Sequence, residues 1–343
     1  MKSDTGWSVL GVLDELDQQI VHALQVDGRA AFRRIGEVLG VSDQTVARRY
    51  TRLRTTGAVK VLGLVDPLRI GLTPWFARVR CTPDAAGAIG EAIARRTDTR
   101  WVSLLSGGTE ISCLTHAEGP GQDDSLLLQK LPRTPQVVQV TAHALLHVFF
   151  GQDLSPVTRA GALDRDRIAA LTADDAPPRP LTATAETDPV ELGPGDRRLL
   201  DVLAVDGRTS AADLAAVTGW SQTTVRRRMS ELRRSGALYY DLDFGPGALS
   251  PHLRAALWLE VEPAHLAAVG AALTLHAEVA FAGATTGTAN VFASIQCKGP
   301  DAFYRYLTGP VAALPGIRRT ETAPIHLTLK GPGPGYEPAR RSR

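Results

Sequence analysis

The chain has 343 residues, room for two or three domains at roughly 150 residues each. Its 44% hydrophobic and 22% charged residues exclude a disordered chain, and its three cysteines (Cys81, Cys113 and Cys297) match no zinc, redox or disulfide framework. The net charge of +2, the lack of an apolar run near the roughly 20 residues of a membrane span, and a start without a signal-peptide pattern leave a cytoplasmic protein away from membranes, whose case for nucleic acid rests on where its charge sits.

In chain order, Leu16, Ile20, Ala23 and Leu24 recur at helical spacing and predict a first helix, ending before the Asp27-Gly28 turn signal. Phe32, Ile35 and Val38 predict a short second helix that stops at Gly40. Ser42 is a natural N-cap for a third, with Val46, Tyr50 and Leu53 as its buried stripe and Gly57 closing it. An extended segment follows over 58–65. The period then changes. Residues 75–81, 101–105 and 111–115 read as strands, 84–95 and 125–131 as helices, and 137–149 as a last strand. That order, βαββαβ, is the split ferredoxin-like arrangement. The stretch DDAPPRPLTATAETDP suits an exposed linker over 151–193, in which 160–173 could form a helix.

Everything then repeats. Residues 17–59 align without gaps to 196–238 at an offset of 179, with 17 of 43 pairs identical. The second copy has its apolar stripe at Val225, Met229 and Leu232, a break at Gly219, a cap at Ser221 and a close at Gly236. Strands are expected at 237–244, 256–261, 279–281, 290–296 and 317–329, and helices at 264–275 and 301–314. Downstream the likeness is weaker; Thr109-Glu-Ile-Ser faces Thr288-Ala-Asn-Val at the same offset. The expected fold class is α+β, with two winged/helix-turn-helix units each followed by a βαββαβ ferredoxin-like domain. The expected domains are 12–66, 72–150, 194–245 and 252–330, with a linker over 151–193 and a flexible tail over 331–343.

A short helix, a glycine turn and a capped helix place the second of the pair in a DNA major groove. Opposite the buried stripe, Thr45, Arg48, Arg49 and Arg52 share a face, followed in copy two by Thr224, Arg227 and Arg228. Arginine suits such a face because its fork pairs with guanine or phosphate. Each copy of the unit carries +3, so the rest of the chain carries −4. The expected DNA-binding residues are Ser42, Gln44, Thr45, Arg48, Arg49, Arg52, Ser221, Gln222, Thr223, Thr224, Arg227 and Arg228. Gln44, Thr45 and Arg48 or Arg49 are expected at base edges, with Arg52 and Arg54 nearer the backbone. Glu231 stands where copy one has Arg52, so the operator is expected to be an imperfect palindrome.

On these residues, Asp17, Asp27-Gly28-Arg29, Ile35, Gly40-Val41-Ser42, Thr45-Val46, Arg49, Leu53 and Gly57, each half resembles the Lrp/AsnC family of transcription regulators. The resemblance implies an effector-sensing and oligomerising domain behind each helix-turn-helix. It implies a homodimer or higher even oligomer, with sensing sheets packed face to face and paired within or between chains. It also implies a small effector, typically an amino acid, at the turn between the second and third strands. That turn usually reads Gly-x-x-Asp; here it reads Gly107-Gly108-Thr109-Glu110 and Gly287-Thr-Ala-Asn290. Thr285 and Thr286 precede the second. Glycines let backbone amides approach a carboxylate and an acid pairs with an ammonium. Glu110 keeps the charge and Asn290 loses it.

His143 and His147 share a strand face without a third ligand, so no metal is expected. Trp75, Trp101, Trp220 and Trp258 read as core packing. No phosphate loop, dinucleotide fingerprint or hydrolase motif is present, so neither enzyme activity nor a cofactor is expected. The alternative is a tetrapyrrole enzyme, since sirohaem decarboxylases resemble the same family as fused two-unit chains; that chemistry gives no reason to keep arginines on both third helices.

Overall fold

The computed structural model of the protein describes residues 13–116, 130–151, 162–172, 188–245 and 253–335. Most of the expected 125–131 helix, most of the proline-rich linker and the end of the tail lie outside them. The chain divides into two compact units. Of the described residues, one takes 13–70, 162–172 and 188–245; the other takes 71–116, 130–151 and 253–335. Instead of four domains in a row, the two helix-turn-helix segments fold together, and so do the two βαββαβ segments.

The helical unit holds α1 (Glu15–Val26), α2 (Phe32–Leu39), α3 (Asp43–Thr55) and β1 (Val59–Val65) from copy one. A linker helix follows, α5 (Arg165–Thr172), numbered after α4 (Ala86–Ala94) of the other unit. Copy two supplies α6 (Pro194–Val205), α7 (Ala211–Thr218), α8 (Gln222–Arg234) and β6 (Leu238–Phe244). Helices α3 and α8 start where a serine hydroxyl meets an orphan amide. Ser42 accepts from the Thr45 N–H and Ser221 from the Thr224 N–H, each cap worth about 1 kcal/mol. Gly40 and Gly219 end the preceding helices at φ of 71° and 77°, a conformation that costs residues with a Cβ about 1–2 kcal/mol. The expected stripes, Val46, Tyr50 and Leu53 with Val225, Met229 and Leu232, are buried.

A local twofold relates the two copies. Strands β1 and β6 pair antiparallel with Leu62 opposite Asp241, which are equivalent positions at the offset of 179. Arg29 donates to the carbonyls of Gly207 and Thr209, and Arg208 returns the bond to Gly28 and Ala30. Arg54 pairs with Asp206 at 2.9 Å, and Arg233 with Asp27 at 3.2 Å. The Asp-Gly turns thus serve close approach: a Cβ on Gly28 would lie 2.7 Å from the Tyr240 Cβ, and one on Gly207 2.7 Å from the Leu62 backbone. Helix α5 lies against copy one, with Leu163 and Leu171 in its core, Arg34 donating to the Ala170 carbonyl and the Leu163 N–H donating to His22 Nδ1.

The second unit is a closed antiparallel barrel. Copy one gives β2 (Pro74–Cys81), α4 (Ala86–Ala94), β3 (Thr99–Leu105), β4 (Glu110–His116) and β5 (Val137–Phe150). Copy two gives β7 (Leu253–Val261), α9 (Leu266–Leu273), β8 (Val279–Thr285), β9 (Val291–Cys297), α10 (Pro300–Tyr306) and β10 (Ile317–Lys330). The barrel order is β10-β3-β4-β2-β5-β8-β9-β7. Each half keeps the ferredoxin-like strand order, and the halves join edge to edge within the chain through β5–β8 and β10–β3. Closure leaves no strand edge unpaired. Face-to-face packing is also present, since Phe76, Leu105 and Leu145 meet Ala256, Trp258, Phe292 and Ala323 inside.

The joints correct one alignment. Leu145 faces Thr285 and His147 faces Ala284; Ile325 faces Leu105 and Leu327 faces Leu104. Each pair maps onto its counterpart at an offset of 180, bulges included. The barrel halves therefore align one residue beyond the helical units, so Glu110 matches Asn290 and Thr109 does not match Thr288. Trp101 is also corrected. It is 41% exposed at φ 52°, beside an irregularity in the β3–β4 register that turns the ring outward, whereas Trp258 is buried as read.

Candidate DNA-reading face and effector site

Helices α3 and α8 are built as expected, but their arginines are not all free. Ser42 and Thr45 share a hydroxyl bond of 2.9 Å, and so do Ser221 and Thr224, so these four residues form the caps. Gln44, Arg48, Gln222, Thr223 and Arg227 are exposed. Arg48 has no ion-pair partner among the described residues.

Arg49 does not face outward with Arg48. It turns back onto α1, bonding Asp14 and, at 3.0 Å, the buried Asp17. Arg52 also pairs with Asp17. In copy two Arg228 bonds Asp196 at 2.7 Å, and Arg227 pairs with Glu231, which also lies 3.3 Å from Arg228. The helix geometry explains the correction: Arg49 lies three residues after Val46, on the shoulder of the buried stripe, within reach of the first helix. Bonds from Arg49 and the Asp17 amide hold the Asp14 carboxyl below its ordinary range. Burial would raise Asp196, but Arg228 and the Gly193 amide outweigh it and the net shift is downward. The paired aspartates, Asp17 and Asp196, stand at equivalent positions in the repeat; that match was the signal for a latch between α1 and α3 and between α6 and α8.

In the barrel, Ser106, Gly107 and Gly108 form a left-handed turn at φ of 51°, 72° and 87°. Thr109 caps it by donating to the Ser106 carbonyl. Glu110 is 5% exposed and its carboxylate is already engaged. Arg78 bonds it at 2.6 Å, bonds Glu321 of β10 at 2.6 Å, and lies 5.1 Å from the Trp258 ring centre. Arg78's bond holds Glu321 below its ordinary range. A cavity of about 360 Å³ opens beside this network, lined by Arg80, Ser106, Thr109, Glu110 and Glu321 among others. Sequence reasoning missed Arg78, Arg80 and Glu321, because only the barrel closure brings β10 against β2.

The copy-two residues are spent on the fold. Asn290 accepts from the Val261 N–H and donates to the Val261 carbonyl. The Thr285 hydroxyl donates to Ala289. Thr286 accepts from the Ala144 N–H, and Gly287 abuts His143. His143 itself stacks on Trp258, and the described residues hold no cluster of His, Cys, Asp or Glu that could bind a metal.

Against known proteins, residues 13–54 and 195–233 match the AsnC-type helix-turn-helix domain, and 254–333 match the Lrp/AsnC ligand binding domain. The HTH-type transcriptional regulator FL11 of Pyrococcus abyssi is 26% identical over 142 residues, 41% of this chain and 93% of that protein. FL11 of Pyrococcus furiosus is 36% identical over 62 residues, 18% of this chain and 41% of that protein. The crystal structure of the siroheme decarboxylase NirDL covers 94% of both chains with a TM-score of 0.61 at 11% identity, a likeness of fold alone. The chain thus carries two AsnC-type helix-turn-helix domains and, in its second copy, an Lrp/AsnC ligand binding domain.

Proposed function

We propose that this protein is a sequence-specific, double-stranded-DNA-binding transcription regulator of the cytoplasm, modulated by a small effector and not itself an enzyme. The carrying observation is the pair of capped reading helices, each in a segment of charge +3, in a chain whose remainder is −4. The curated relatives named as HTH-type transcriptional regulators support it. Arg48, exposed on α3, is the residue assigned to a guanine edge, with Gln44 beside it. In copy two Arg226, Arg227 and Thr223 take that part. Arg49 and Arg228 are assigned to holding the helices. The barrel cavity beside Glu110 is assigned to the effector. Pairing of the sensing halves within one chain leaves further assembly to other surfaces, and a dimer of chains is the expected species at micromolar concentration.

A second reading, a tetrapyrrole enzyme, draws support from the NirDL-like fold over the whole chain and from the internal pairing of Arg49, Arg52, Arg227 and Arg228. Adding the iron-uroporphyrin III analogue used in the solved NirDL complex separates the two. The regulator reading expects no saturable change in the analogue's absorbance and salt-sensitive retention of duplex DNA. A stoichiometric spectral change without DNA retention would reverse the assignment.

A further inference from the structure

The barrel's twofold places a second sensing turn where the first has its cavity, and the two differ at each position that matters. Turn one is tied to the opposite strand by the Ser106 N–H donating to the Pro324 carbonyl, at 3.0 Å. Turn two has the equivalent bond, from the Thr286 N–H to the Ala144 carbonyl at 2.9 Å, and two more. The Ala144 N–H donates to the Thr286 hydroxyl at 2.9 Å, a bond Pro324 cannot make because it has no N–H. His143 Nδ1 bonds the Thr286 carbonyl at 2.7 Å, whereas its counterpart across the barrel is Ala323. The His143 ring lies over Trp258, the counterpart of Arg78, with ring centres 5.2 Å apart. It also fills the space beside Gly287, where a Cβ would come within 2.5 Å of its Nδ1. Asn290 is bonded back to Val261 through both ends of its amide.

We infer that the barrel takes one ligand per chain, at the copy-one turn, and that His143 occupies the equivalent copy-two position as a built-in substitute. The inference rests on the effector role proposed above. The chemistry around the open cavity names the ligand class. Arg80, Glu110 and Glu321 line the cavity, with Arg80 exposed at its wall, while Arg78 bonds both carboxylates. A simple anion would meet the two carboxylates, and a simple cation the Arg80 guanidinium. A small molecule carrying both a carboxylate and an ammonium satisfies both walls, with its carboxylate toward Arg80 and its ammonium toward Glu321. A cavity of about 360 Å³ admits a molecule of amino-acid size.

The test is native mass spectrometry of the whole chain with pools of the twenty standard L-amino acids, followed by equilibrium dialysis of whichever is retained. Wild type is expected to hold one molecule per chain. Thr109→Trp, a change at an exposed rim position, is expected to weaken binding at least about tenfold. His143→Ala is expected to admit a second molecule. If His143→Ala fails to fold, the wild-type stoichiometry and Thr109→Trp still decide. Two molecules on wild type, binding unmoved by Thr109→Trp, a folded His143→Ala that still holds one, or no retention from any pool would each overturn the inference. DNA binding without amino-acid retention would sink this inference and leave the regulator assignment standing; amino-acid retention without DNA binding would do the reverse.

Discussion

The proposed function gives the neighbours Arg48 and Arg49 opposite duties, and their substitutions should separate them. Arg228, the copy-two counterpart of Arg49, is the cleaner probe, because Asp17 keeps Arg52 if Arg49 is lost. Removing Arg228 leaves Asp196, only 5% exposed, without its cation. Breaking a buried pair from one side costs about 3–5 kcal/mol; partial solvent access at Arg228 puts the expected loss nearer 2 kcal/mol. Arg48→Ala should change stability by less than about 0.5 kcal/mol while relaxing DNA preference. Urea denaturation of both variants measures the contrast; equal stabilities would dissolve the latch. A buried lysine gives a second test. Burial and the nearby Arg100 charge push Lys330 down to about 8 from its ordinary 10.5. The unfolded lysine binds more protons than the folded one between those values, so Lys330 makes stability rise with pH across that window. Lys330→Met should remove this rise, as followed by thermal melting at stepped pH. An unchanged pH profile would show that the ammonium is solvated.

At the scale of elements, the two kinds of glycine separate backbone conformation from space. Gly40 has nothing near its missing Cβ, but sits at φ 71°. Gly40→Ala should cost about 1–2 kcal/mol. Gly207 has an ordinary φ, but a Cβ there would strike the Leu62 backbone at 2.7 Å. Gly207→Ala should cost about 1–3 kcal/mol and loosen the β1–β6 ladder, which hydrogen exchange at Leu62 and Gly63 would report. Protection unchanged there would contradict close approach as the reason for that glycine. The element order was legible from sequence because the stripes at Val46, Tyr50 and Leu53 and the caps at Ser42 and Ser221 are local features. The turn Gly107-Gly108-Thr109 was legible for the same reason. The site's other wall was not. Glu321 reaches Arg78 only because β10 closes on β3, a pairing between residues more than two hundred positions apart, on which local periodicity is silent. Arg49 was misplaced because a helical wheel gives an angle and not the reach of a long side chain toward α1.

At the scale of the whole molecule, the two copies of the repeat are two unequal halves of one chain. The helical unit keeps its twofold in reciprocal bonds: Arg29 with Arg208, and Arg54 with Arg233. The barrel keeps it in register while breaking it in chemistry, with Arg78 against Trp258 and Glu110 against Asn290. A fragment of copy one alone, residues 1–150, leaves β1, β3 and β5 with unpaired edges, which are templates for pairing. It should associate through those edges into a dimer that imitates the intact chain, as light scattering would show. A folded monomeric fragment would mean that the edges do not need their partners.

The most direct test is selection of binding sites by the whole chain from a random duplex library, with Arg48→Ala alongside. The predicted result for wild type is one enriched motif with two dissimilar half-sites, because α3 presents Gln44 and Arg48 where α8 presents Thr223 and Arg227, the latter paired with Glu231. Arg48→Ala should lose preference at one or two base pairs of a single half-site, each worth about 1–3 kcal/mol, while the other half-site is retained. Absence of any enriched sequence would contradict the DNA-reading claim, and a perfectly symmetric motif indifferent to Arg48 would contradict the unequal reading by the two copies.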